Sequence, residues 1–200
     1  MKETGIVPDF ITVDGAEGGT GAAPLEFIDY MGMALADGLI FVSKVLKEYG
    51  LRDQIKIMAS GKIITGFDIA KAMSLGADAC YSARGMMFAL GCIQALQCDS
   101  GKCPVGIATQ DKNLYKGLDI TDKSVRVAHF HNNTLKAFAE FIGACGFDSP
   151  KAITPDVFYR RIDHKTNESF ASLFFNNYEN KTKTEKINLK KTQQTLNRRG

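Results

Sequence analysis

The run IKIMASGKIITGFDIAKAMSLGADACYSARG, residues 55–85, decides the fold. Ile55 to Ala59 is short, apolar and rich in β-formers, and it stops at a turn, Ser60-Gly61-Lys62. Gly66 to Leu75 carries the spacing of a short helix, and Ala77 to Tyr81 reads as a second short strand. A helix rich in Met, Ala and Phe is predicted from about Gly85 to Gln97. Strand, loop and helix repeated with parallel-sheet composition make an α/β pattern.

The same pattern extends toward the N-terminus. FITVDG, Phe10 to Gly15, reads as a buried strand that ends in a turn signal. GAEGGTGAAP, Gly15 to Pro24, is a glycine-rich loop, and Leu25 to Tyr49 has helical spacing broken at Gly32 and Gly38. Parallel strands would collect Asp14 to Thr20, Ser60 to Lys62 and Ser82 to Gly85 at one edge. In a β/α barrel that edge binds ligands. Three such units do not close a barrel, so the sheet is either open and doubly wound or part of a larger barrel. A first strand with no helix before it predicts a fragment.

Toward the C-terminus, Asp119-Ile120-Thr121-Asp122 caps a helix expected from Lys123 to Gly143. Its stripe Val127, Phe130, Leu135, Phe138 and Phe141 is expected to face the core. Ser149-Pro150 opens a turn, and Thr154-Pro155 is read as the start of a short helix over Asp156 to Arg161. From Glu179 to Gly200 seven basic residues stand against two acids, with only Ile187, Leu189 and Leu196 as large apolar residues. Such a segment buries too little to offset its ordering entropy and is expected to be a disordered tail. The chain thus divides into βα units over 1–110, a helical extension over 111–178 and the tail over 179–200.

The overall composition is that of a globular protein, 44% hydrophobic and 24% charged in 200 residues. A net charge of +3 makes no case for nucleic-acid binding. No apolar run is long enough to span a membrane, and MKETGIVPDF lacks the apolar region of a secretory signal. Five cysteines is an odd number, which favours reduced thiols and a cytoplasmic setting.

Three of those cysteines, Cys92, Cys98 and Cys103, are spaced C-x5-C-x4-C, with Pro104 following. A disulfide, a zinc site and an iron–sulfur cluster are all open to such a trio. The absence of a C-x2-C pair and of a local histidine favours iron–sulfur. Cys92 is placed on the last helical turn, with Cys98 and Cys103 in the loop beyond, where Gly101 allows a bend. Cys80 and Cys145 read as core thiols, and His129 and His131 as structural. Ser82-Ala83-Arg84-Gly85 sits where a strand becomes a helix, a place suited to phosphate, with Ser60-Gly61 beside it. An ion pair on the surface is the other reading of Arg84. The glycine loop matches neither the dinucleotide pattern nor the P-loop.

Four runs together, DFITVDGAEGGTGAAPLEF, ASGKIITGFDIAKAMSLGAD, SARGMMFALGC and CDSGKCPVGIATQD, closely resemble the FMN-binding domain of glutamate synthase and the stand-alone proteins of that family. The resemblance covers about Asp9 to Phe175. It implies the C-terminal portion of a β/α (TIM) barrel that binds FMN and a [3Fe–4S] cluster. The cluster ligands would be Cys92, Cys98 and Cys103. The flavin-phosphate loops would be Ser60-Gly61-Lys62 and Ala83-Arg84-Gly85. The segment with Gly18, Gly19 and Thr20 would lie over the flavin and 2-oxoglutarate.

The implied activity is reductive synthesis of L-glutamate from 2-oxoglutarate through 2-iminoglutarate. Its electrons would come from ferredoxin or an NAD(P)H-linked subunit. No amidotransferase region occurs in these residues, which points to a separate amidotransferase subunit as ammonia source, and no residue is singled out as catalytic. The alternatives are a non-catalytic electron-transfer or binding subunit, or another FMN-barrel oxidoreductase.

Overall fold

The computed structural model describes residues 1, 3–18, 23–24, 26–27 and 31–176. They fall into two compact units, one ending at Ile153 and one starting at Thr154. The expected tail, 179–200, lies outside the described residues.

The first unit is built on a parallel sheet in the order β1 (Phe10–Asp14), β2 (Lys56–Ser60), β3 (Ala79–Tyr81). The register runs Ile11 to Ile57 and Val13 to Ala59, then Met58 to Ala79 and Ser60 to Tyr81. Helix α1 (Leu35–Glu48) crosses from β1 to β2, and α2 (Gly66–Ser74) from β2 to β3. Right-handed crossovers between consecutive parallel strands lay both helices on the same face. Ile57, Ala59 and Leu39 under them have no exposure at all. The α/β expectation is met.

That one-sided cover corrects the reading of Phe10 to Gly15 as a buried strand. Phe10, Thr12 and Asp14 are exposed, and only Ile11 and Val13 turn partly inward. Among the described residues β1 is paired on one side only, with β2, and its second face carries no helix.

The expected break at Gly32 is present: its φ of +106 is a value a right-handed helix does not admit, residues 26–27 before it are helical, and helix α1 begins after it at Leu35. Gly38 does not break it. A Cβ there would lie 3.0 Å from Val13 Cγ1, so the glycine lets the helix lie close on β1. Helix α2 opens with a complete capping box, Thr65 bonding the Asp68 amide while Asp68 bonds the Thr65 amide.

Helix α3 (Arg84–Leu90) stops at Leu90, not Gln97. Gly91 takes φ +105 and the Cys92 amide closes back on the Met87 carbonyl at 3.0 Å, a left-handed C-terminal cap. Cys92 therefore lies beyond the helix rather than on its last turn. A short α4 (Lys112–Tyr115) leads to α5 (Ile120–Ala144), capped by the Asp119 carboxylate on the Thr121 and Asp122 amides. Helix α5 packs on α2 and α3. Its inward stripe takes Val127, Phe130, Phe138 and Phe141 as expected, but Leu135 is 46% exposed, and Thr134 holds that level instead. The period of 3.6 favours position 134 between 130 and 138.

In the second unit, Pro155–Val157 is a single 3-10 turn, and the helix expected over Asp156 to Arg161 is not formed. Tyr159–Arg161 (β4) pairs antiparallel with Asn167–Ser169 (β5). The Asp163 carboxylate, accepting from the Lys165 and Thr166 amides, shapes the turn between them. Phe158 and Phe170 stack with ring centres 5.7 Å apart. No helix among the described residues is long and apolar enough to cross a membrane.

Candidate functional site

The strand register brings the three expected loops to one edge. Asp14 pairs with Ser60, and Ser60 with Tyr81, so their side chains share the face that the crossover helices leave bare. The Gly15 amide donates to the Ser60 carbonyl at 2.7 Å, joining the first loop to the second. Ser82 Oγ donates to the Ile63 carbonyl at 2.7 Å, joining the second to the third. Ser60, Gly61 and Lys62 thus stand beside Ala83, Arg84 and Gly85. Of the glycine run, Gly18 closes the 3-10 turn Ala16–Gly18, while Gly19 and Thr20 lie outside the described residues.

The three helices that follow these strands enter differently. The first N–H of α1 is taken by the Glu17 carboxylate, and α2 has its capping box. Helix α3 begins after Ala83, which gives no side-chain cap, and among the described residues no side chain accepts from its first amides. Arg84 makes no hydrogen bond or ion pair among the described residues, so the ion-pair reading of it is not met. Free amides, a helix dipole and an uncommitted guanidinium at one loop suit a phosphate group. The residues here fit a flavin phosphate.

The glycines of these loops have a second cause. A Cβ on Gly85 would lie 2.8 Å from Phe130 Cζ, so its absence lets α3 reach α5. Gly61, with φ +150, faces Leu35, whose Cβ would be 3.3 Å from an added methyl. Lys62 also takes a left-handed φ of 47. Tyr81 was missed in the sequence. Its signal is its place as the final residue of the last strand, on the open face with 44% exposure. A cleft of about 160 Å³ runs behind the loops, between Glu17, Leu35, Lys62, Asp68 and Lys71.

The cysteine trio presents a different picture. Cys103 is buried, while Cys92 and Cys98 are partly exposed. Burial raises the Cys103 thiol, but the backbone amides of Ala108, Val105, Ile107 and Gly106 outweigh it and hold the thiol below its ordinary value. An amide nest of this kind stabilises a thiolate. Between Cys92 and Cys98, Gln94 and Leu96 both take left-handed φ, 56 and 54. Among the described residues, no three His, Cys, Asp or Glu side chains are gathered into a metal-binding group. The three thiols as placed do not form a cage for a cluster. Cys80 is half-buried rather than in the core, and burial pushes its thiol up to about 11.

Residues 3–148 match the family model described as the conserved region in glutamate synthase. The chain is 44% identical over 164 residues to the glutamate synthase large subunit-like protein YerD of Bacillus subtilis, covering 82% of this chain and 31% of that protein. It is 41% identical over 145 residues to the archaeal glutamate synthase (NADPH) of Methanocaldococcus jannaschii, covering 72% of this chain and 28% of that protein. The chain therefore spans under a third of the length of these two relatives. A flavocytochrome b2 structure with sulfite bound overlays 78% of this chain at a TM-score of 0.44 and 17% identity, a likeness too loose to argue from.

Proposed function

The chain belongs to the glutamate synthase family, and from that premise we propose that it carries the phosphate end of an FMN site in a glutamate synthase-like oxidoreductase. The observation that carries this reading is the entry of α3. Among the described residues its first amides have no side-chain acceptor and Arg84 has no partner, and the Ser60–Lys62 loop is tied alongside through Ser82.

In this reading the three-stranded sheet is part of a β/α barrel, with its bare face turned to the interior. The α3 amides and Arg84 hold the flavin phosphate, and the backbone of Ser60 to Lys62 closes the other side. Asp14, Ser60 and Tyr81 line the floor at the strand ends. The resemblance would assign Gly18, Gly19 and Thr20 to the flavin and the 2-oxoglutarate-derived substrate, with Gly19 and Thr20 outside the described residues. FMN held by these residues would contribute hydride chemistry suited to reducing 2-iminoglutarate to L-glutamate. The protein's part is to hold both in place and keep water out.

Cys92, Cys98 and Cys103 are proposed as ligands of a [3Fe–4S] cluster, on their spacing and on the amide nest at Cys103. The three thiols as placed are not gathered into a cage. Electrons from ferredoxin or an NAD(P)H-linked subunit, ammonia from a separate amidotransferase subunit, and a cytoplasmic setting complete the proposal. The test is FMN titration followed by flavin fluorescence, with glutamate formation from 2-oxoglutarate and ammonia under a reduced donor. Arg84→Ala should weaken FMN about tenfold, the loss of one charged hydrogen bond. Equal FMN affinity in parent and variant would remove the phosphate assignment.

A further inference from the structure

We infer that Glu17 is the positioning residue of the glycine loop, acting through the first amide of α1. This rests on the reading that the glycine run and the Ser60–Lys62 loop hold the flavin. Both carboxylate oxygens of Glu17 accept from the Leu35 amide, at 2.9 and 3.1 Å, across 18 residues of chain. The residue at the ordinary capping position is Ala34, whose methyl offers no acceptor. A carboxylate there also meets the positive end of the helix dipole.

The bond fixes more than a helix end. The Ala16 amide donates to the Met33 carbonyl at 2.8 Å, so the turn is held at two adjacent points. Leu35, only 7% exposed, packs between the two loops. A methyl on Gly15 would lie 2.5 Å from Leu35 Cβ, and one on Gly61 would lie 3.3 Å from it. Glu17 therefore holds Leu35 by its amide while the Leu35 side chain sets the spacing of Gly15 and Gly61. The start of the glycine run and the Ser60-Gly61 loop are registered against each other through one residue. Glu17 also occupies the Leu35 amide, the first of α1.

The test compares Glu17→Gln, Glu17→Asp and Glu17→Ala in the FMN-loaded protein, by hydrogen exchange of residues 15–18, 33–37 and 60–63 and by FMN affinity. Gln keeps an acceptor at the same reach. Asp is one methylene short, and Ala has none. The expected result is faster exchange over all three segments and about tenfold weaker FMN in the Ala and Asp variants, with Gln close to the parent. Exchange that rises only over 33–37 would reduce Glu17 to a plain helix cap and overturn the inference. A Gln variant as impaired as Ala would also overturn it, since charge on the ligand would then be acting. If the parent binds no FMN, the flavin reading fails, and exchange over 60–63 still decides the role of Glu17.

Discussion

Arg52 Nη2 and Asp78 Oδ2 meet at 2.9 Å beneath the sheet, where β2 and β3 begin. The pair is a hub. Arg52 also donates to the Ile55 and Gly76 carbonyls, at 3.2 and 2.9 Å, and Asp78 accepts the Ile57 amide at 2.8 Å. Side-chain exposures of 19% and 29% leave both groups partly shielded. Lys56, at 3.8 Å and 60% exposed, adds little. The edge proposed to hold the ligand lies at the opposite strand ends, so this hub is expected to serve stability.

Asp78→Ala should therefore lower stability by about 2–3 kcal/mol, because it orphans both Arg52 and the Ile57 amide. Asp78→Asn keeps an acceptor and should cost less. Urea midpoints for the two variants check this. Equal midpoints for parent and Asp78→Ala would show the hub to be inert.

Gly66 and Gly143 should respond in opposite directions to alanine. A Cβ on Gly66 would lie 2.5 Å from the Phe138 backbone nitrogen, and backbone cannot swing aside as a side chain can. Gly66→Ala should cost about 1–3 kcal/mol as α2 and α5 are forced apart. Gly143 sits in α5 with nothing within 4 Å of its added Cβ. Gly143→Ala should stabilise by about 0.5 kcal/mol through lower unfolded-state entropy. Melting temperatures of the two variants should fall on either side of the parent.

Cys80 makes stability depend on alkaline pH. Its folded pKa is raised from 9.0 to about 11 by burial. The folded state keeps the proton longer, so the contribution is fully present below the unfolded pKa of 9.0 and is lost as pH rises toward about 11. The loss should amount to about 3 kcal/mol at most. Thermal melts between pH 8 and 11 should show the decline in the parent and a flatter profile in Cys80→Ala.

The cysteine proposal predicts a clean division among thiols. After anaerobic reconstitution, Cys92→Ser, Cys98→Ser and Cys103→Ser should each lose iron, with little loss in Cys145→Ser. Iron per chain is the readout. Full iron in all three variants of the trio would take the cluster away from them.

Much of this chain is legible in neighbouring residues. Strand, turn and helix alternate over 55–85 with the apolar spacing that each needs, and Asp119 announces α5. The C-x5-C-x4-C spacing and the long motifs around it carry the family, because they are local patterns. Distance across the chain is not local. Whether Phe10 is covered depended on both crossover helices falling on one face. Tyr159–Arg161 became a strand because Asn167–Ser169 came alongside, which outweighed the Pro155 signal. Glu17 looked like one more polar residue in a glycine loop until the fold set it against the Leu35 amide, 18 residues on. The sequence alone determined the order of elements and the chemistry available at their ends. Only tertiary structure decided which helix entry stayed open to an anion and which glycines serve packing, because both depend on what the rest of the chain brings within a few ångströms.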